Sequence, residues 1–369
     1  MEVMETFSGI LGNEPALRLL EGALCSGEVA HAYLLYGPAG IGKRTVACRF
    51  GAVLVADGDK RARDRALRGL HPDLLMIEPE GRFTTIGQIR EVVRGAVSRP
   101  FEGARRVFIL HADTMNVQAA NALLKTLEEP EGGAVFLLLS GSRESVLPTV
   151  VSRAQSVRFD PVAPGEVSSF LEGRGYPQDE ARLAASLGRG SVGLSLRYVG
   201  EDEFKRLREA VFHAGFSFSG SFEDRRVAAE AIVAKAEGVG EAQEKERLEA
   251  FSPDEEPDRR AKEAAKRERL AARDGAFKEA LGLLAVLFRD AAVVAAGAPE
   301  LAVNVDKIEE IRARVEERPG ADWAGAARIF GEEGGGLAYN VSPEAILEVA
   351  LSRVRQKILE ISPGSCPGS

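Results

Sequence analysis

HAYLLYGPAGIGKRT, residues 31–45, decides the fold. The apolar run Ala32–Tyr36 reads as a buried strand, and Lys43 to Val55 carries apolar residues at helical spacing. Gly37-Pro38-Ala39-Gly40-Ile41-Gly42-Lys43 therefore joins a strand end to a helix start. Glycines there let backbone N–H groups curl round phosphate oxygens, the helix start adds its positive dipole end, and Lys43 reaches the outer phosphates. The next residue in such loops is Ser or Thr, whose hydroxyl ligates magnesium. Here it is Arg44, with Thr45 one place late. An arginine cannot ligate a cation, and one helical step turns Thr45 by about 100°. The loop keeps its phosphate cradle and loses its metal ligand.

Outward from the loop, Leu74–Ile77, Arg106–Leu110 and Val135–Leu139 read as further buried strands. Ile86–Val97 and Asn116–Leu127 read as helices between them. Strands alternating with helices predict a mostly parallel sheet covered on both faces. After Pro161 and Pro164 the strand pattern stops. Glu166–Gly173 and Asp179–Leu187 read as short helices before the turn Gly188-Arg189-Gly190, and the rest of the chain reads as helical. Its clearest segments are Ala276–Ala296, Asp306–Glu316 and Ser342–Ile361. Residues 241–275 hold 11 acidic and 9 basic side chains. Such close mixing predicts a solvated helix pair, broken around Pro253 and Pro257. The tail, residues 362–369, reads as disordered.

Composition narrows the classes. The 369 residues exceed one ordinary domain. A net charge of -8 argues against a surface that wraps nucleic acid throughout, while leaving room for a local basic patch. The longest apolar run, Ala280–Phe288, is too short to span a bilayer, and residues 1–10 lack a secretory pattern. Cys25, Cys48 and Cys366 have no metal-ligand spacing and are odd in number. A cytoplasmic, reduced protein is expected, with no membrane partner. A hydrolase of another kind is disfavoured: Ser191 in RGSVG lacks the first glycine of a nucleophile elbow, and no HExxH occurs.

Active phosphoryl-transfer ATPases place an Asp, often with Glu, at the end of a nearby strand. Here the strand runs into His111-Ala112-Asp113. Asp113 reads either as a metal-site acid or as a turn aspartate, and His111 either as a base or as a structural histidine.

HAYLLYGPAGIGKRT, HPDLLMIEPEG (71–81), IGQIREVV (86–93), RPFEGARRVFIL (99–110), AANALLKTLEEP (119–130) and LPTVVSRAQSVRF (147–159) stand in an order that resembles the clamp-loader subunits of bacterial DNA polymerase III, the delta-prime type above all. The resemblance covers Leu11 to about Val199 well and Ala276–Ile361 more loosely. It implies an α/β N-terminal AAA+ domain (1–162), a small helical lid domain (163–200) and an all-α C-terminal collar (201–369). It also implies a place in a five-subunit ring with ATPase gamma/tau-type and delta-type subunits, which loads a sliding clamp onto primer-template DNA. Delta-prime subunits are described as a stator without intrinsic ATPase activity, and Arg44, the His111-Ala112 stretch and Gly193, standing where active relatives carry a lid arginine, agree with that. ATP or ADP bound weakly at residues 37–45 is the expected cofactor. Many relatives carry a four-cysteine zinc module where this chain has Ala56–Leu70 without a cysteine, so no zinc is expected.

The family's Ser-Arg-Cys appears as Ser152-Arg153-Ala154. By the resemblance Arg153, with Ser152 beside it, is an arginine finger reaching a neighbour's γ-phosphate; by spacing alone it is a surface arginine paired with an acid. Ser140 matches a phosphate sensor in active relatives, or is a buried strand-end serine. Arg99, Arg105 and Arg106 either touch DNA phosphates or are solvated charges flanking a strand. Two rival functions remain beside the stator: an active AAA+ ATPase motor, and an independent DNA-binding or scaffold protein with a vestigial nucleotide fold.

Overall fold

The computed structural model describes residues 6–79, 83–129, 131–249, 259–333 and 341–359. The chain divides into two compact units, Met1–Ser195 and Leu196–Ser369.

The first unit carries α1 (Glu14–Ser26), β1 (Ala32–Tyr36), α2 (Lys43–Ala56), α3 (Lys60–Leu67), β2 (Leu74–Ile77), α4 (Ile86–Val97), β3 (Val107–His111), α5 (Val117–Glu128), β4 (Val135–Ser140), α6 (Pro148–Val151), β5 (Gln155–Arg158), α7 (Pro164–Glu172) and α8 (Gln178–Leu187). Helix α9 (Val192–Gly200) begins in this unit. The sheet order is β2-β3-β4-β1-β5, and every pair is parallel. With a phosphate loop after β1, this is the parallel α/β sheet that the alternating strands and helices predict.

Alternation along the strands builds two cores. Tyr33, Leu35, Ile109 and Leu137 share one core with Phe50 of α2, the Tyr33 and Phe50 rings meeting edge to face at 5.3 Å. Leu34, Phe108, Leu110, Phe136 and Leu138 face the other way, onto Ile89 of α4 and Leu123 of α5. Each such side chain, fully removed from water, contributes about 1.5–3 kcal/mol. The helices start where their caps put them. The Thr85 hydroxyl accepts from the Gln88 N–H (3.2 Å), and the Gln88 side chain accepts from the Thr85 N–H (2.9 Å). Asn116 caps α5 through the Ala119 N–H at 2.8 Å.

Three sequence expectations are adjusted. The strand read as Arg106–Leu110 lies one residue on, because Arg106 is a buried anchor rather than a ladder residue. The sequence reading has four strands, and β5 is a fifth. It is a four-residue edge strand in which only Val157 is buried, so it lacks an apolar run to betray it. Helices α1 and α3 are also additional.

The second unit is all-helical: α10 (Asp202–Gly215), α11 (Phe222–Glu249), α12 (Arg259–Ala295), α13 (Ile308–Glu316), α14 (Trp323–Glu333) and α15 (Pro343–Leu359). Phe288 centres its core, stacked on Phe330 (5.5 Å) and Trp323 (6.3 Å). The charge-rich stretch is explained by pairing between α11 and α12. Arg269 reaches Glu237, Glu241 and Glu244 at 3.6, 3.4 and 3.2 Å, and Arg273 reaches Glu237 at 3.3 Å. Pro253, Pro257 and the tail 362–369 lie outside the described residues.

Candidate functional site

The phosphate loop leaves β1 at its C-terminal end. Gly37, Gly40 and Gly42 all have positive φ (145°, 77° and 97°), a region that L side chains rarely enter. The first two are also sterically closed. A Cβ on Gly37 would lie 2.1 Å from the Phe159 carbonyl oxygen, and one on Gly40 would lie 2.5 Å from Ser191 Oγ. The loop is pinned on both sides. The Gly37 N–H donates to the Ser140 carbonyl (3.2 Å), and the Ser191 hydroxyl donates to the Gly40 carbonyl (2.7 Å). Ser191 also caps α9 through the Leu194 N–H (3.0 Å), so the start of α9 is held against the loop. Gly193, at the position of the missing lid arginine, lies beside the same Gly40 carbonyl, 3.5 Å from where a Cβ would stand.

Lys43 turns back onto its own loop and donates to the carbonyls of Gly37 and Pro38, each at 2.5 Å. Burial pushes its pKa down, with Asp113 acting in the opposite direction. Arg44 points elsewhere. Its guanidinium pairs with Glu78 just beyond β2 (2.8 Å), and His111 Nε2 stands 3.4 Å from the other Glu78 oxygen. The His111 contact, then Arg44, hold the Glu78 carboxyl below its ordinary range against the effect of burial. Thr45 is exposed. Asp113 accepts from the Gly141 N–H just beyond β4 (2.7 Å), which ties the ends of two strands together and is no contact within its own turn. Ser140 is buried, its hydroxyl donating to the Ser142 carbonyl (2.6 Å) and bonded to Ser145 Oγ (2.8 Å).

These residues fit a phosphate group: backbone N–H groups at a helix start, an ammonium, and glycines that keep the approach open. They do not fit magnesium. The hydroxyl position holds a cation already paired to Glu78, and the Asp113 carboxylate accepts from the Gly141 N–H. Among the described residues no three His, Cys, Asp or Glu side chains are placed to hold a metal ion.

Arg153 lies at the other edge of the sheet. It precedes β5, whereas the loop follows β1, and the two strands are parallel neighbours. Five residues of strand separate the two edges by about 16 Å. Arg153 sits in an open cleft of about 660 Å³ lined by His31, Leu127, Glu128, Ser152, Ala154 and Gln155. Its Nε donates to Glu128 Oε1 (2.7 Å), a second nitrogen contacts the same oxygen, and the third donates to the Thr149 carbonyl (2.8 Å). Ser152 contributes its hydroxyl oxygen at 3.3 Å. The paired acid is therefore Glu128, at the end of α5. Glu78 and Glu128 were not singled out by sequence, since each meets its arginine only through the fold. The nearest signal for Glu128 is its place in LLKTLEEP.

Of the arginines flanking β3, Arg106 is buried. It donates to the Gly95 carbonyl (2.9 Å) and lies 3.6 Å from the buried Asp73 carboxylate. It is an anchor, and Arg99 is exposed.

Residues 12–163 match the family described as DNA polymerase III, delta subunit. The chain is 45% identical over 135 residues to DNA polymerase III subunit delta' of Pseudomonas aeruginosa, an alignment covering 34% of this chain and 41% of that one. It is 29% identical over 204 residues to subunit delta' of Bacillus subtilis, covering 53% and 61%. The matched part thus spans about half the length of these curated relatives. A solved Thermotoga maritima protein titled as related to the polymerase III gamma subunit aligns over 92% of this chain and 99% of its own, with 18% identity and a TM-score of 0.41. The matched residues 12–163 include the phosphate loop, HPDLLMIEPEG, LLKTLEEP and Ser152-Arg153.

Proposed function

We propose that this chain, whose residues 12–163 match the polymerase III delta family, is the stator-type subunit of a bacterial clamp loader. It assembles with gamma/tau-type and delta-type subunits into a five-subunit ring and supplies Arg153 to a neighbour's ATP while hydrolysing none itself. The observation that carries this reading is the separation of the two chemical groups within one unit. Arg153 stands at the opposite end of the strands from its own phosphate loop, which supports a role toward a nucleotide held by another chain. A guanidinium at a transferring phosphoryl group stabilises the charge that develops there.

The chain's own loop is expected to bind ADP or ATP weakly. Gly37–Gly42 would direct backbone N–H groups at the phosphates, and Lys43 would exchange its two carbonyl partners for phosphate oxygens. A magnesium ion, where one is bound, supplies charge neutralisation between phosphates; Arg44 offers it no ligand. Calorimetry should give affinities that differ by less than about tenfold with and without Mg²⁺, or about 1.4 kcal/mol. A larger magnesium dependence would show that Arg44 leaves Glu78 to make room for a metal.

Mixing the chain with candidate gamma/tau-type and delta-type subunits tests the assembly directly. A stable five-subunit species in gel filtration is expected, together with no steady-state ATP turnover by the chain alone. Turnover by the isolated chain would favour the motor reading. Failure to co-assemble would favour an independent scaffold.

A further inference from the structure

We propose that α3 and the loop 99–105 form a binding surface for single-stranded nucleic acid, with Phe101 as its stacking platform. The charge is the first observation. In a chain of net charge -8, residues 57–72 and 98–106 hold eight basic and four acidic side chains. Arg61 and Arg65 stand at i and i+4 on one face of α3, and Arg68 is its C-cap. Arg65 pairs with Glu102 at 2.9 Å, which fastens that face to the loop. Among the described residues Arg61, Arg68 and Arg99 make no ion pair. They are exposed cations without an internal task.

The second observation is the ring. Phe101 is 75% exposed, yet its loop is not slack. The buried Asp73 carboxylate accepts from the N–H groups of Phe101 (2.8 Å), Glu102 (3.0 Å) and Gly103 (2.9 Å). The Arg106 guanidinium lies 5.1 Å from the Phe101 ring centre and 5.6 Å from that of Phe108, which stacks on Phe136 in the core. Phe101 is thus the outermost layer of an ordered stack, with most of its ring in water. Holding a large apolar ring rigidly in solvent gains the fold little. A base would stack on it without having to order it first.

Charge and ring together select the ligand. Phosphates answer the unpaired arginines, and a π-face accepts any unstacked base. A duplex keeps its bases stacked and leaves the ring unused. An acidic peptide would use the arginines and ignore the ring. The surface lies where β2 and β3 begin, away from the phosphate loop, and the proposal stands independently of Arg153.

The test uses the full-length chain and fluorescence anisotropy with an oligothymidine of about 12 nucleotides, within the span of known single-strand sites. Binding tighter than to a duplex of equal length is expected. Phe101→Ala should weaken it roughly 5- to 150-fold, the equivalent of one lost stack, while Phe101→Trp keeps it. Changing Arg61, Arg68 and Arg99 together to Gln should weaken it and lower the log–log salt slope by about 2, from about 0.7 per phosphate contact. Arg153→Ala should bind as wild type, which separates this proposal from the ring-assembly reading. No binding, or full binding by Phe101→Ala, overturns the proposal. So does a polyglutamate peptide that binds with the same arginine dependence while Phe101→Ala has no effect.

Discussion

Asp73→Ala is expected to destabilise the N-terminal unit by about 3–5 kcal/mol, the range for stranding a buried charge and its donors. Asp73 is fully buried, and its two oxygens serve the three N–H groups of residues 101–103 and the Arg106 guanidinium. Alanine leaves all of these behind: three donors turned inward and a buried cation with only the Gly95 carbonyl. For a unit of this size the melting temperature should fall by about 10 °C. Asp73→Asn keeps one acceptor oxygen and should lose less. The pH dependence follows with a definite sign. Burial raises the Asp73 pKa, but the three backbone donors and Arg106 outweigh it and hold the value below the ordinary aspartate range. The contribution is therefore full above the unfolded value and is lost as pH falls through the lower folded one. Thermal melts at neutral pH and under acid conditions check both statements. If Asp73→Ala melts like wild type, the loop is not anchored in this way.

What was legible in the sequence follows from which signals are local. The glycine spacing of Gly37–Lys43 and the apolar runs of β1 to β4 are local, and the parallel sheet followed from them. The caps at Thr85 and Asn116 also act within three residues, but the sequence reading left that signal unused and counted Asn116 within its helix. Edge strand β5 escaped because Gln155, Ser156 and Arg158 do not need burial. The defect at Arg44 was readable, but its partner was not. Glu78 reaches it from just beyond β2 and is itself met by His111 at the end of β3, and no spacing rule joins residues 44, 78 and 111. The same holds for Glu128 and Arg153, 25 residues apart and joined by the sheet edge. Phe101 did leave a trace. In RPFEGARR an aromatic stands in a turn, with neither strand nor helix to bury it. Arg106 in the same stretch was open to two readings, a phosphate contact or a solvated charge, and burial beside Asp73 removes both.

On the proposed function, Arg153→Ala carries the largest effect expected for the assembled complex, because it would alter chemistry at a neighbour's site. Its own ion pair is a poor reason to keep it. Arg153 and Glu128 are partly exposed, and such pairs contribute about 1 kcal/mol or less to stability. The variant should melt close to wild type and enter the complex normally. If Arg153 leaves Glu128 for a neighbour's γ-phosphate, single-turnover hydrolysis at that one site should fall by about 10³-fold or more, the range for arginines supplied in trans. Total clamp- and DNA-stimulated turnover should fall by less, since the remaining sites keep their own arginines. Arg153→Lys should not rescue it, because an ammonium lacks the forked donors that span two oxygens. Glu128→Gln should act mildly and in the same direction if the carboxylate only parks the side chain. Lys43→Ala is the internal control: its ammonium now satisfies loop carbonyls, and on the proposed function its loop contributes no hydrolysis, so turnover should stay near wild type. If Lys43→Ala cripples turnover while Arg153→Ala is silent, the chain is a motor, and the separation of Arg153 from its own phosphate loop has no catalytic meaning.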